Sequence, residues 1–244
     1  MRKILFVLAT LFVFLSLSAA EIWETREEID VNGVTAEKSV LISDNVMKVV
    51  NTSQSGETET YVDLNADKII IITHKYKTFQ AFRLSKYIEF AKQLFNELKE
   101  KTGNIDPEKV LPKVAFEKLA NETIEKWNCE VWNVLVDGKP YSKVWVAPEL
   151  KNKQLIEFKK KFVSAIPENL IKYRSVDAQV EDKFVEIGTV VKSIKFSQNP
   201  KMPEVKTTVK KMAKSNLKKI DLVIPAGYAD KSAPDMVKPQ TQAK

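Results

Sequence analysis

The sequence predicts an α+β fold: a curved antiparallel sheet that forms an incomplete, half-open β-barrel covered by helices. Three observations carry that prediction. Short β-prone runs come in groups rather than alternating one by one with helices, so chain neighbours pair antiparallel. Two kinds of segment carry apolar residues at helical spacing and can bury a face of the sheet. One strand run, WNCEVWNVLV, is apolar on both sides, so both of its faces must be covered. A long twisted sheet of this kind hides its edges by curling.

The first group runs from Glu21 to Leu84. IWETREEIDV ends at Asn32-Gly33, a two-residue hairpin signal because both positions tolerate positive φ. VTAEKSVLIS, VMKVVNT, TETYVDL, KIIIIT and TFQAFRL follow, separated by Asp44-Asn45, SQSGE, Asn65 to Asp67, and His74 to Lys77. Ser85 is placed to cap a helix whose stripe is Tyr87, Ala91, Leu94 and Leu98, widened by Phe90 and Phe95. Thr102-Gly103 ends it, and Pro107 and Pro112 keep the next stretch irregular.

ETIEKWNCEVWNVLV reads as one strand, turned at Asp137-Gly138 into YSKVWVA. Pro148 opens a lysine-rich helix with Leu155, Phe158, Phe162 and Ile166 on one stripe. A second helical pattern, Leu170, Tyr173, Val180, Phe184 and Ile187, stops at Gly188. TVVKSIKF and EVKTTVKKM are strands, LVIPAGY closes the domain, and the residues after Tyr228 lack apolar periodicity and are expected to be a disordered tail.

Arg2 and Lys3, an uncharged apolar run from Ile4 to Leu17, and the small residues Ser18, Ala19 and Ala20 have the pattern of a secretory signal peptide over residues 1–20. The run is short beside the ~20 residues of a membrane-spanning helix. No cysteine follows Ala20 that could take a lipid, so a soluble periplasmic or secreted chain is expected, with one domain over 21–228 and a tail over 229–244. Cys129 is the single cysteine, so packing alone must hold the domain together. Because Cys129 alternates with Trp127 and Val131, it reads as a core residue.

Charge is uneven. Residues 21–147 carry a net −4 and residues 148–220 a net +9. The basic half is either an ordinary lysine-rich surface or a face that docks an anionic membrane or an acidic envelope protein. Export argues against nucleic acid as a partner.

Catalytic signals are sparse. One His and one Cys give no His cluster and no Cys-x-x-Cys, and the six glycines form neither a phosphate loop nor a nucleophile elbow. Asp63 and Asp67 flank a turn, where carboxylates hydrogen-bond local backbone. His74 sits between Thr73 and Lys75 at a hairpin tip, with no partner carboxylate implied by spacing, and reads as a turn residue. No catalytic residue, metal or cofactor is assigned. Trp23, Trp127, Trp132 and Trp145 on strands, with Phe90, Phe158 and Phe162 on helices, are either ordinary core or the lining of a cavity for a lipid or other apolar ligand.

The order of YVDLNADKIIIITHKYKTFQAF, then WNCEVWNVLVDGKPYSKVWVAPEL, then LVIPAGY resembles the bacterial exported proteins called domain of unknown function 4412. The positions that carry the resemblance are Asp63, Tyr76, Thr78, Cys129, Trp145 and Pro225 to Tyr228. The tryptophan-rich lead-in to Cys129 and the long helical insert between Pro148 and Gly188 depart from that pattern. Such proteins look like relatives of the periplasmic lipoprotein carriers, which implies a half-open barrel closed by helices over an apolar cavity, a non-enzymatic role, and no catalytic residues to carry over.

Overall fold

Turn chemistry and period-two alternation build the N-terminal half strand by strand. The computed structural model describes residues 21–102, 111–167, 171, 175–198 and 203–232. The segment 1–20, the helix stop at Gly103, Pro107, Leu170, Tyr173 and the tail from residue 233 lie outside the described residues, as do the side chains of Phe95 and Leu98.

Strands β1 (Trp23–Val31), β2 (Val34–Ile42), β3 (Val46–Ser53), β4 (Gly56–Asp63), β5 (Lys68–Thr73) and β6 (Thr78–Arg83) form an antiparallel meander. Asn32 and Gly33 turn β1 into β2 with φ of 54° and 81°, the left-handed pair a tight hairpin needs. Asp63 accepts a hydrogen bond from the Ala66 amide at 3.0 Å, the local role expected of a turn carboxylate.

Helix α1 (Leu84–Thr102) follows β6. Its start is held by Asp67, whose carboxylate accepts from the Ser85 amide and hydroxyl, so Ser85 lies inside the helix rather than capping it. Leu84 and Ile88 reach the core, but Tyr87, Phe90 and Leu94 are exposed. Among the described side chains of α1, then, Tyr87, Phe90 and Leu94 do not roof the sheet.

Two strands replace what reads in sequence as irregular chain and as one long strand. β7 (Val114–Lys118) and β8 (Glu122–Ile124) both pair with β9 (Trp127–Val136), end to end along the same edge. Glu125, at φ 54°, makes the turn between β8 and β9, a position that residue-type patterning does not mark. β10 (Lys139–Ala147) returns through Asp137-Gly138 as expected.

Pro148 begins a single 3-10 turn, Pro148–Leu150, and α2 (Lys153–Ser164) starts only after Asn152, whose side chain accepts from the Leu155 amide. Helix α3 (Val176–Val185) is capped in the same way by Ser175 onto Ala178. Strands β11 (Thr189–Lys195) and β12 (Val205–Lys214) complete the main path. β13 (Ala229–Asp230) then pairs parallel to β6, so the ordered chain extends past the expected end at Tyr228.

The strand order is β13-β6-β5-β4-β3-β2-β1-β12-β11-β10-β9-β7, with β8 also on β9. The first and second groups join where β12 lies against β1, and every pairing except β13 with β6 is antiparallel. The result is a large, open, curved sheet with helices on its inner face. Phe158, Leu155 and Phe162 of α2 pack over Ile42, Val62 and Ile69. Phe184 and Val180 of α3 pack over Val134, Val144 and Val146. On the other face of β9 and β10, Trp127, Cys129, Val131, Trp145 and Ala147 are buried together beneath Ile124 and Leu150. No helix among the described residues is long and apolar enough to cross a membrane.

Candidate functional site

Alternation along β1, β2 and β3 sends one set of side chains to the inner face in cross-strand rows. Met47, Ile42 and Trp23 form one row; Val49, Val40, Thr25 and Met212 form the next; Lys38 and Glu27 lie in the third. Helices α2 and α3 span this floor without filling it. Between them and the sheet lies a cavity of about 450 Å³, whose lining includes Val40, Ile42, Met47, Val49, Leu155 and Phe184.

The cavity is graded. Its apolar end is the Ile42 and Met47 row under Leu155, and its polar end is the Lys38 and Glu27 row, paired at 3.0 Å. Glu181, also on the lining, pairs with Lys159 at 2.8 Å. Both carboxylates are thus neutralised by a lysine. The polar part of the lining also includes the hydroxyls of Thr25, Thr207 and Ser193 and the ammonium of Lys192, and no His or Cys lies among the described lining residues.

None of the seven aromatic residues singled out in the sequence borders this cavity. Trp23, Phe158 and Phe162 are packed into the inner core under α2, and Trp132 lies against Phe184 with ring centroids 5.8 Å apart. Trp127 and Trp145 face the other way, because the register that sets Val144 opposite Trp132 puts Trp145 opposite Val131. Trp145 donates to Glu122 at 2.8 Å and carries Lys143 and Lys192 over its ring at 4.8 and 4.7 Å. Phe90 is exposed on α1. The residues that do line the cavity are ordinary Val, Ile and Met of an alternating strand. Their common signal was the inner row of β2 and β3, but Met212 joins it only through the pairing of β12 with β1.

Some lysines of the basic half reach carboxylates of the acidic half, while others pair within their own half. β12 lies beside β1, and Lys214, Lys211 and Lys210 pair with Glu21, Glu24 and Glu28 at 3.2, 2.7 and 3.2 Å. Lys161 of α2 reaches Asp44 at 3.1 Å. Charges segregated along the sequence are interleaved in space.

His74 is also better connected than a turn residue need be. It opens the short helical turn His74–Tyr76, but its ring contacts Glu59 and Tyr228, residues far away in the chain. Its place in the turn is as expected, and replacing it by Ala should also remove these two long-range contacts.

No family model matches the chain, and no curated protein matches it. Two solved structures align over most of it. An uncharacterized conserved protein from Thermus thermophilus is 5% identical over 86% of this chain and 90% of that one, with a TM-score of 0.47. A LolA superfamily protein from Nitrosomonas europaea is 8% identical over 81% of this chain and 87% of that one, with a TM-score of 0.28. Neither likeness is close enough to bring a function to this chain.

Proposed function

We propose that this chain is an exported, non-enzymatic binding protein that takes the apolar part of an amphiphile, a single acyl chain or a group of similar bulk, into the cavity beneath α2 and α3. The graded lining is the observation that supports this reading. A volume of about 450 Å³ lies within the ~300–1,000 Å³ range of pockets that enclose small ligands. Ile42, Met47, Val40 and Val49 would surround the tail, and the Lys38–Glu27 row would meet the polar head. Since that pair is self-neutralised, a neutral or zwitterionic head suits it better than a strong anion. The resemblance to the exported proteins of domain of unknown function 4412 and to lipoprotein carriers points the same way, and the basic, apolar N-terminal segment supports export.

Native mass spectrometry of the purified protein, with and without solvent extraction, tests this. Copurifying lipid, or stoichiometric uptake of an added fatty acid, is the expected result. Val49→Phe should block uptake by filling the cavity while leaving the fold intact. A lipid-free chain that takes up no added amphiphile in native mass spectrometry would refute the proposal.

A further inference from the structure

On the face of the sheet opposite the cavity, three potential metal ligands meet. Glu57 and Glu59 are two residues apart on β4 and so project from the same face. The turn from β5 to β6 brings His74 above them. His74 Nε2 lies 3.0 Å from Glu59 Oε1 and 3.4 Å from Glu57 Oε1, and the three ligand atoms all lie within 4.8 Å of one another.

Each carboxylate is held by its other oxygen. Lys48 Nζ binds Glu59 Oε2 at 2.5 Å, and the Thr52 hydroxyl donates to Glu57 Oε2 at 3.1 Å. Both Oε1 atoms are thereby turned toward the imidazole. Behind the ring, Nδ1 lies 2.8 Å from the Tyr228 hydroxyl, delivered by the segment that follows β12. A partner on the far nitrogen is what fixes the orientation of a metal-binding imidazole. Ligands at ~2.0–2.1 Å from a tetrahedral zinc ion stand roughly 3.3–3.4 Å from one another. The two separations from Nε2 are close to that edge, and the third, between the two Oε1 atoms, is within 4.8 Å and closes by rotation of the carboxylates.

We propose that His74 Nε2, Glu57 Oε1 and Glu59 Oε1 form a binding site for a zinc-like divalent cation, with the remaining coordination position open to water. Imidazole with carboxylate selects zinc over magnesium, which keeps its own waters and prefers all-oxygen octahedral surroundings. Metal on Nε2 leaves the ring proton on Nδ1, where it donates to Tyr228 Oη. The ion would thus clasp the C-terminal segment to the β4–β5 part of the sheet. This site is independent of the cavity and of whatever the cavity binds.

His74 is the only histidine in the chain, so its two ring nitrogens give unambiguous resonances in ¹⁵N NMR. Zinc chloride titrated into the purified protein is expected to bind with one equivalent, to shift the Nε2 resonance and to leave Nδ1 protonated, whereas magnesium chloride at the same concentration shifts neither. Glu57→Gln should weaken zinc binding at least tenfold in calorimetry, with circular dichroism and unfolding midpoint unchanged because Glu57 is partly exposed and Thr52 can still bond the amide. Tyr228→Phe, which removes no ligand, should weaken it by about ten- to a hundredfold. The proposal fails if wild type takes up no stoichiometric zinc, or if Glu57→Gln and Glu59→Gln both bind it as wild type does.

Discussion

The Tyr141 hydroxyl donates to Asp177 Oδ1 at 2.7 Å, joining strand β10 to the first turn of α3. Lys195 of β11 closes the group, reaching Asp177 Oδ2 at 2.7 Å. Burial works to raise the Asp177 carboxyl, but hydrogen bonds from Lys195 and Tyr141 outweigh it and hold the carboxyl below its ordinary value. For Lys195, burial works downward and the bonds to Asp177 and Tyr141 outweigh it, so its ammonium is held above its ordinary value.

The signs give two opposite limbs. With its folded value depressed, Asp177 contributes stability that is present above the unfolded value of ~3.9 and lost as pH falls through the folded value. With its folded value raised, Lys195 contributes stability present below ~10.4 and lost as pH rises through the folded value. Both side chains are substantially exposed, so Asp177→Asn should cost roughly 0.2–1 kcal/mol near neutral pH. The difference in thermal midpoint between wild type and Asp177→Asn should shrink toward the acid end. A constant difference from neutral to strongly acidic pH would contradict this account.

Phe184 and Phe90 are both helical phenylalanines, and only their surroundings separate them. Phe184 is 1% exposed, edge-on to Phe116 and against Trp132, whereas Phe90 is 40% exposed. Phe184→Ala should cost about 3–5 kcal/mol through lost transfer energy and a residual cavity. Phe90→Ala should stay within about 0.5 kcal/mol. Urea unfolding curves for the two variants measure the contrast directly.

Gly188 links α3 to β11 under a backbone constraint. A Cβ built there would lie 2.7 Å from the Pro148 Cα and closer still to the Ala147 carbonyl oxygen. Neither neighbour is the end of a flexible side chain, so Gly188→Ala should destabilise by about 1–3 kcal/mol, as overpacking does. Gly138 makes a useful opposite: nothing lies near its Cβ position, but its φ of 76° strains most other residues. Replacing Gly138 by Asn, which tolerates that conformation, should be milder than Gly188→Ala in the same unfolding assay.

Cys129 is fully buried between Trp127 and Val131, and burial pushes its thiol above the ordinary range. Thiolate is the reactive form, so the native protein should resist an aromatic disulfide reagent and release one equivalent of chromophore only once urea unfolds it. Rapid reaction in the folded state would show that the core around Cys129 is open to solvent.

Short-range features carried much of this fold. Asn32-Gly33 and Asp137-Gly138 turn the chain because few other pairs tolerate two successive positive φ values, and the hairpins they close match the strand patterns on either side. The local carboxylate role of Asp63 follows from the same turn chemistry. The turn at Glu125 and the edge strand β7 were hidden for the converse reason: a glutamate at φ 54° has no turn-forming signature, and β7 is a short strand defined by its partner β9.

Alternation along a strand is a property of the sequence: Val40 and Ile42 must share a face, as must Trp127, Cys129 and Val131, because the backbone repeats every two residues. Which face becomes the inner one is set by pairing between distant strands, and that only the tertiary structure decided. The β1–β12 pairing brought Met212 to the cavity and set basic residues against acidic ones, while the β9–β10 register and its surroundings turned Trp127 and Trp145 away from α2 and α3. His74 shows the same division. Its place in a turn is local, but Glu57, Glu59 and Tyr228 meet it only because strand pairing and the returning C-terminal segment close distances that spacing along the chain does not encode.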